Sequence, residues 1–401
     1  MADDQKQLTR SEHRIMVVML GMLAATGPLS IDMYLPSLPS IQTALDASAA
    51  NAQLSLSAFL IGYACGQLIY GPISDRFGRK PVLLTGLLVY AATSFLCAQS
   101  QNIEGLIVMR FLQALGGGSG IVLARAIISD HFPPNEAAQV LSLVSIVTLM
   151  GPLVSPIVGG YLLVLAGWRS IFYLLASLGA LFFIMVSVFY KESLPRERRQ
   201  QLNLIGTFRA YLDITLHRDS FGYIACGGLG AGVFFAYISN SPFVFIELFH
   251  VPAEYFGYLY GLVVSSMMAA AIINSRLVLR FGLNRMIDYG NIIRMVGIVL
   301  LVLIAWLRIG GVPAMVFALM LTVSPTIIIN VNAAVGLLHL FPRLTGTASA
   351  VSGAAIFATG AVSGSIVGFL HDGTVMPMVI TMVLFAVTSH ASYWLVKRKE
   401  G

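Results

Sequence analysis

Apolar runs of about 20 residues, the length a helix needs to cross a bilayer, recur from one end of this chain to the other. Twelve windows are legible, over residues 15–36, 54–70, 82–99, 103–127, 140–165, 170–190, 222–246, 256–275, 286–306, 314–340, 345–370 and 376–396. Short polar segments separate them. The pattern predicts an all-α integral membrane protein with twelve transmembrane helices. The first window is too long, and too polar at Asp32, for a cleaved signal peptide.

The longest polar segment lies between windows six and seven. It divides the chain into two six-helix halves, residues 1–190 and 220–401, with a cytoplasmic linker over 191–219. Within the linker Leu204, Phe208, Tyr211, Leu212 and Thr215 recur at helical spacing. They form either a short amphipathic helix on the bilayer surface or a solvated connection. The halves echo each other. Arg280-Phe281-Gly282 follows window eight as Arg76-Phe77-Gly78 follows window two, with Leu279 and Leu283 in place of Asp75 and Arg79. A decayed internal repeat leaves such a trace.

Composition agrees with the pattern. Apolar residues make up 57% of the chain and charged residues 10%, against about 25% charged in soluble domains. The net charge of +6 reports topology. With the amino terminus in the cytoplasm, the cytoplasmic segments hold every basic residue except Arg110, Arg169, Arg294 and Arg308. The opposite side carries Asp46, Glu104, Glu247, Glu254 and Asp372. The positive-inside rule therefore puts both termini in the cytoplasm and removes the case for a nucleic-acid partner. Cys65, Cys97 and Cys226 have neither disulfide nor zinc spacing. No nucleophile–base pair, metal cluster or nucleotide loop suggests an enzyme, a metal or a cofactor, and no repeated pore-lining motif suggests a passive channel.

Asp32 stands inside the first window, in Gly27-Pro28-Leu29-Ser30-Ile31-Asp32-Met33-Tyr34-Leu35-Pro36. An acid there costs about 2.5–3.5 kcal/mol by insertion scales. It is either a structural acid reached by water or a carrier of protons. Arg110, early in the fourth window, is its natural partner. It lies about seven residues below the outer surface and Asp32 about four, or roughly 10 Å and 6 Å at the helical rise. At the other membrane face Asp75, Arg79 and Asp130 form a candidate latch, with Gly71, Arg76 and Gly78 in the same segment. Tyr34, Phe59, Tyr63, Gln113, Tyr237, Asn240, Phe243, Tyr260, Asn274, Asn330 and Asn332 are candidates to line a central cavity, where aromatic faces and amides suit neutral drug-sized molecules; each also has a plain helix-packing reading. Arg294, within the ninth window, either snorkels inward or pairs with Asp288.

Several motifs carry a family resemblance. Gly71-Pro72-Ile73-Ser74-Asp75-Arg76-Phe77-Gly78-Arg79-Lys80-Pro81, read as a charged loop between windows two and three, resembles the loop signature of the major facilitator superfamily. Arg110-Phe111-Leu112-Gln113-Ala114-Leu115-Gly116 resembles its helix-4 pattern, with Ala114 for the first glycine. Gly151, Pro152, Pro156, Gly159 and Gly160 in the fifth window resemble the helix-5 motif of its proton-antiporting exporters, and Gly360, Gly364 and Gly368 are placed for a matching contact in the eleventh. Ser30-Ile31-Asp32-Met33-Tyr34-Leu35-Pro36-Ser37-Leu38-Pro39, with Gly66-Gln67-Leu68-Ile69-Tyr70-Gly71-Pro72 and Pro242-Phe243-Val244-Phe245-Ile246-Glu247, closely resembles the bicyclomycin-resistance (Bcr/CflA) family. That resemblance implies a monomeric inner-membrane drug:proton antiporter of bacteria, embedded in membrane lipids, acting on compounds such as bicyclomycin, phenicols or sulfonamides. Asp32 would carry the proton and Arg110 would be its coupling partner. The alternative function is a proton-coupled importer or exporter of a small metabolite. The helix-5 motif argues against import.

Overall fold

The computed structural model describes residues 10–199 and 204–397; Lys6, Arg398 and Lys399 of the charge bias lie outside them. The described residues form fifteen α-helices and no strand. They are α1 (Arg10–Asp32), α2 (Leu38–Ala44), α3 (Ala49–Phe77), α4 (Arg79–Ala98), α5 (Ile103–His131), α6 (Pro134–Ala166), α7 (Arg169–Phe189), α8 (Leu204–Leu216), α9 (Arg218–Pro242), α10 (Ala253–Phe281), α11 (Leu283–Leu307), α12 (Gly311–Val323), α13 (Pro325–Leu340), α14 (Thr345–Phe369) and α15 (Met376–Lys397). Twelve spans are long and apolar enough to cross a membrane.

Three spans are broken helices. The first joins α1 to α2 through a 3-10 turn, Leu35–Ser37. The seventh ends α9 in a π-helical turn, Phe243–Leu248. The tenth joins α12 to α13. Each break falls at proline: Pro36 and Pro39, Pro242, and Pro325. Proline lacks the N–H that would continue the helical ladder. Many spans run past their apolar windows, because the window marks hydrocarbon depth while polar residues extend the helix beyond it.

The 71–81 segment corrects the sequence expectation. It is not a loop. Helix α3 continues through Pro72 to Phe77, and α4 begins at Arg79. Only Gly78 interrupts them, at φ +100° and ψ 155°, a conformation open essentially to glycine alone. Gly282 does the same between α10 and α11, at φ +80° and ψ 166°. Beside each, an arginine lies 5.4 Å from the next ring centroid, Arg76 on Phe77 and Arg280 on Phe281. The weak sequence echo is therefore a close structural one. The surroundings differ. A side chain at Gly282 meets nothing within 4 Å, whereas one at Gly78 collides with Glu192 and Arg199. Gly78→Ala is expected to incur backbone strain of about 1–3 kcal/mol and to disturb the Glu192 contact as well. Its melting temperature in detergent should fall further than that of Gly282→Ala; equal falls would show that Glu192 contributes nothing at Gly78.

Helix α8 occupies the segment between the sixth and seventh spans, with its faces divided differently from the expected stripe. Ile205, Phe208, Leu212 and Leu216 are exposed, while Ile214 is buried and Tyr211 is half-buried. The Tyr211 hydroxyl donates to the Leu68 carbonyl of α3 at 2.7 Å. Burial pushes the Tyr211 phenol up, so it stays a neutral donor.

The first six spans meet the last six along two helix pairs. Helix α3 runs beside α14, from Ala50 at Gly368 to Gln67 at Gly353. Helix α6 crosses α10 near the ends remote from α8. A Cβ on Gly160 would lie 2.6 Å from the Ala253 carbonyl oxygen, and one on Gly257 would lie 2.7 Å from the Ile157 Cα. Backbone meets backbone there, which is how small residues drive helix association where no hydrophobic effect operates.

Candidate functional site

Asp32 is the last residue of α1 and is 3% exposed. Its Oδ1 accepts a hydrogen bond from the Tyr260 hydroxyl at 2.8 Å. Tyr260 stands on α10, so the bond ties the first span to the eighth. Tyr237 of α9 stacks on Tyr260 with ring centroids 5.5 Å apart and planes at 12°. The acid thus sits under a tyrosine pair contributed by the last six spans.

Arg110 is fully buried but does not pair with Asp32, contrary to the expectation from their depths. Its Nη1 donates to Gln113 Oε1 at 2.6 Å and its Nη2 to the Ser30 carbonyl at 3.1 Å. The guanidinium carbon lies 4.2 Å from the Phe59 ring centroid and 4.4 Å from that of Tyr34. Aromatic faces stabilise a desolvated cation, so Arg110 is held without an ion pair among the described residues. The geometry of α1 explains the separation. The carbonyl that Arg110 reaches belongs to Ser30, and residues two apart on a helix do not share a face. The Asp32 side chain is turned instead toward α10. Gln113 continues the network by donating to Ser94 Oγ at 2.7 Å, and Tyr34 shares a 2.6 Å bond with Ser55.

The remaining aromatic and amide candidates do not gather around one cavity. Phe59 and Tyr34 enclose Arg110. Tyr63 stacks on Phe59 and meets Phe357 of α14, with centroids 4.7 Å apart. Asn240 Oδ1 accepts from Gln53 Nε2 at 3.2 Å, a second polar bond between the first and last six spans. Phe243 packs on His371 at the end of the bundle remote from α8. Asn332 donates to Asn274 Oδ1 at 2.8 Å, and both line a groove of about 630 Å³ between α10 and α13. Asn330 stands apart, its Oδ1 beside Gly227 and Gly230.

At the end near α8, Arg79 joins the expected acids. Its Nη1 pairs with Asp75 Oδ1 at 2.5 Å and its Nε with Asp130 Oδ2 at 3.0 Å. Nη1 also reaches Ser74 Oγ at 2.6 Å. Arg76 does not join; it is exposed beside Phe77. Gly71 has open space around it. Two residues absent from the sequence reading complete the cluster. Glu192 accepts from the backbone N–H groups of Arg79 and Lys80, at 2.9 and 3.1 Å, and so caps the amino end of α4. Ser193 donates to Asp130 Oδ2 at 3.1 Å. The sequence clue to Glu192 was an acid placed in a run of bases, Lys191 to Arg199.

The helix-5 residues lie along α6. Gly151 faces Pro28 of α1, Gly159 faces the Met33 carbonyl, and Gly160 faces α10. Pro152 and Pro156 are accommodated inside the helix. In α14, Gly368 faces Ala50 of α3, and Gly364 faces Ser57 and Ser239.

Comparison with known proteins agrees with this architecture. The family model described as Major Facilitator Superfamily matches residues 20–368. The chain is 32% identical over 386 residues to a bicyclomycin resistance protein homolog of Haemophilus influenzae, covering 96% of this chain and 97% of that one. It is 34% identical over 405 residues, 98% of both chains, to an uncharacterized transporter of the same superfamily from Bacillus subtilis. Among solved structures, a D-xylose-proton symporter superposes with a TM-score of 0.76 at 16% identity, over 96% of this chain and 97% of the other. A bacterial homolog of the lysosomal transporter Spinster gives 0.76 at 15%, over 98% of each; at these identities the likeness shows the fold alone. The helical bundle, its motifs and these matches together establish that the chain is a multi-pass membrane protein of the major facilitator superfamily, a family of transporters and not of enzymes, and within it of the bicyclomycin-resistance family.

Proposed function

We propose that this protein exports drug-like compounds across the bacterial inner membrane in exchange for protons. It works as a monomer with both termini in the cytoplasm. The observation that carries the reading is Asp32, an acid buried within the first span and hydrogen-bonded to Tyr260 across the seam between the first and last six spans. A group at that seam feels both its proton and the relative position of the two helix sets. Protonation removes the carboxylate charge that favours the Tyr260 bond. The bond then weakens, and residues 1–190 and 220–401 are freed to rock as two halves about the linker. Substrate entering between them competes with the carboxylate for the same tyrosine pair, so drug and proton each release this bond in turn and each drives one half of the exchange. Asn274 and Asn332 offer amides on the cytoplasmic side of the route. The names of relatives support export: besides the bicyclomycin resistance homolog, a Multidrug resistance protein of Shewanella oneidensis is 33% identical over 225 residues, 54% of each chain.

The test uses everted vesicles with an imposed proton gradient. Bicyclomycin, a phenicol, a sulfonamide and a panel of small metabolites are added in turn, and lumenal pH and solute accumulation are followed together. At least one compound should accumulate uphill with stoichiometric proton release from the vesicle lumen. Proton release triggered only by a small metabolite would replace the drug reading with metabolite transport, and no substrate-linked proton movement at all would reject coupling.

A further inference from the structure

Two polar features inside the spans lie apart from the Asp32 seam. Arg294 of α11 is fully buried and so does not snorkel. Its Nη2 donates to Thr326 Oγ1 of α13 at 3.1 Å, and among the described residues it forms no ion pair with Asp288. The other feature is a backbone carbonyl that α3 cannot use.

Pro72 stands inside α3. In an unbroken helix the N–H of residue 72 returns to the carbonyl of residue 68, four positions earlier. Proline has no N–H, and its ring crowds that carbonyl. The Leu68 oxygen is therefore left without its usual ladder partner. In a membrane bundle, neighbouring helices supply partners for backbone groups freed in this way. Here the partner is the Tyr211 hydroxyl of α8, at 2.7 Å.

Helix α8 leads into the last six spans and is packed on them. Ile214 is fully buried in a cluster with Ile224 of α9, Leu337 of α13, and Ala348 and Val351 of α14. His217, just after α8, meets the Phe341 ring with centroids 5.7 Å apart and planes at 84°. Helix α8 is thus attached to the last six spans, whereas Leu68 belongs to the second. Beside it α3 lies against α14, where a Cβ on Gly353 would be 3.2 Å from Gln67 Oε1. The Tyr211 bond crosses the seam far from the α6–α10 crossing. If the halves part there, the Tyr211 hydroxyl can turn to water at the membrane surface, but the Leu68 carbonyl loses its partner. The bond therefore favours the joined arrangement.

We infer that Tyr211 is a positioning residue of the transport cycle. Its hydroxyl occupies the backbone acceptor that Pro72 leaves open on α3, and so holds the α8 ends of the two halves together. The inference rests on the rocking of the halves proposed above.

The experiment reads the separation of the halves directly, on purified full-length protein in lipid nanodiscs. Spin labels are placed at the exposed residues Ser129 of α5 and Thr345 of α14, in a Cys65→Ser background; Cys97 and Cys226 are buried. Pulsed distance measurements, with and without drug and with no proton gradient, give the ratio of near to far populations. Tyr211→Phe keeps the ring and deletes only the hydroxyl. It should shift the ratio about fivefold toward the far population, the size of a net hydrogen bond. Pro72→Ala returns an N–H to the Leu68 carbonyl. In that background Tyr211→Phe should shift the ratio by less than about twofold, because both changes act on one interaction. Pro72→Ser supplies the same N–H and serves if Pro72→Ala does not fold. A ratio that Tyr211→Phe leaves unchanged, or a shift of equal size in both backgrounds, would overturn the inference and leave the rocking intact. A single distance under every condition would overturn the rocking and this inference with it. Neither outcome bears on whether Asp32 carries a proton.

Discussion

Asp32→Asn is expected to reduce uphill, proton-driven drug export to background while leaving the protein folded and inserted. The substitution is nearly isosteric. The asparagine Oδ1 still accepts the hydroxyl of Tyr260, so the contact between α1 and α10 survives. What disappears is the exchangeable proton. The variant should still bind drug and equilibrate it down a gradient. Comparison of drug accumulation in everted vesicles, with and without a proton gradient, checks this at matched protein levels. Uphill export by Asp32→Asn at the wild-type rate would remove the acid from the mechanism. Tyr260→Phe provides the companion measurement. It keeps the acid and deletes its partner, and should retain uphill export at a reduced rate.

Arg79→Ala should slow maximal turnover by about tenfold or more, the factor that a change of ~1.4 kcal/mol in the barrier produces, with drug affinity much less affected. Among the described residues Arg79 is the one cation that holds Asp75, Asp130 and Ser74 together. Its removal leaves two carboxylates near each other without a counter-charge, a costly arrangement in a partly buried place. Glu192→Gln should produce the same direction of change at smaller size, because its amide oxygen still accepts from the end of α4. Turnover at saturating drug and equilibrium drug binding are measured on the same preparations. Loss of binding with turnover preserved in the remaining competent protein would contradict a role in conformational cycling.

The spans were legible because a bilayer imposes one strong rule, a run of about 20 apolar residues, and nearly all of them lie where that rule puts them. The Arg79–Asp75–Asp130 cluster was legible because two of its members are one helical turn apart and the third ends the fourth window. The partner of Asp32 was not. Depth along the membrane normal places Arg110 and Asp32 near each other, but depth carries no information about which way a side chain points around its helix. The bond to Tyr260 joins residues 228 positions apart, and nothing in either local sequence announces it. The aromatic and amide candidates could not be divided between packing and cavity roles for a related reason. Composition marks a residue as able to line a cavity, while the packing of facing helices decides whether it encloses an arginine, bridges the seam or opens onto a groove.

The crossing of α6 and α10 has a consequence for rate. Where side chains interdigitate, one helix turns past another only by forcing knobs out of holes, and each displaced rotamer adds to the barrier. Gly160 and Gly257 leave bare backbone on both surfaces at the contact. Two smooth cylinders in touch roll over a small angle with little steric resistance. In the proposed rocking of the two halves the crossing would act as a bearing, with its axis near the end remote from α8 and its largest displacements at the other.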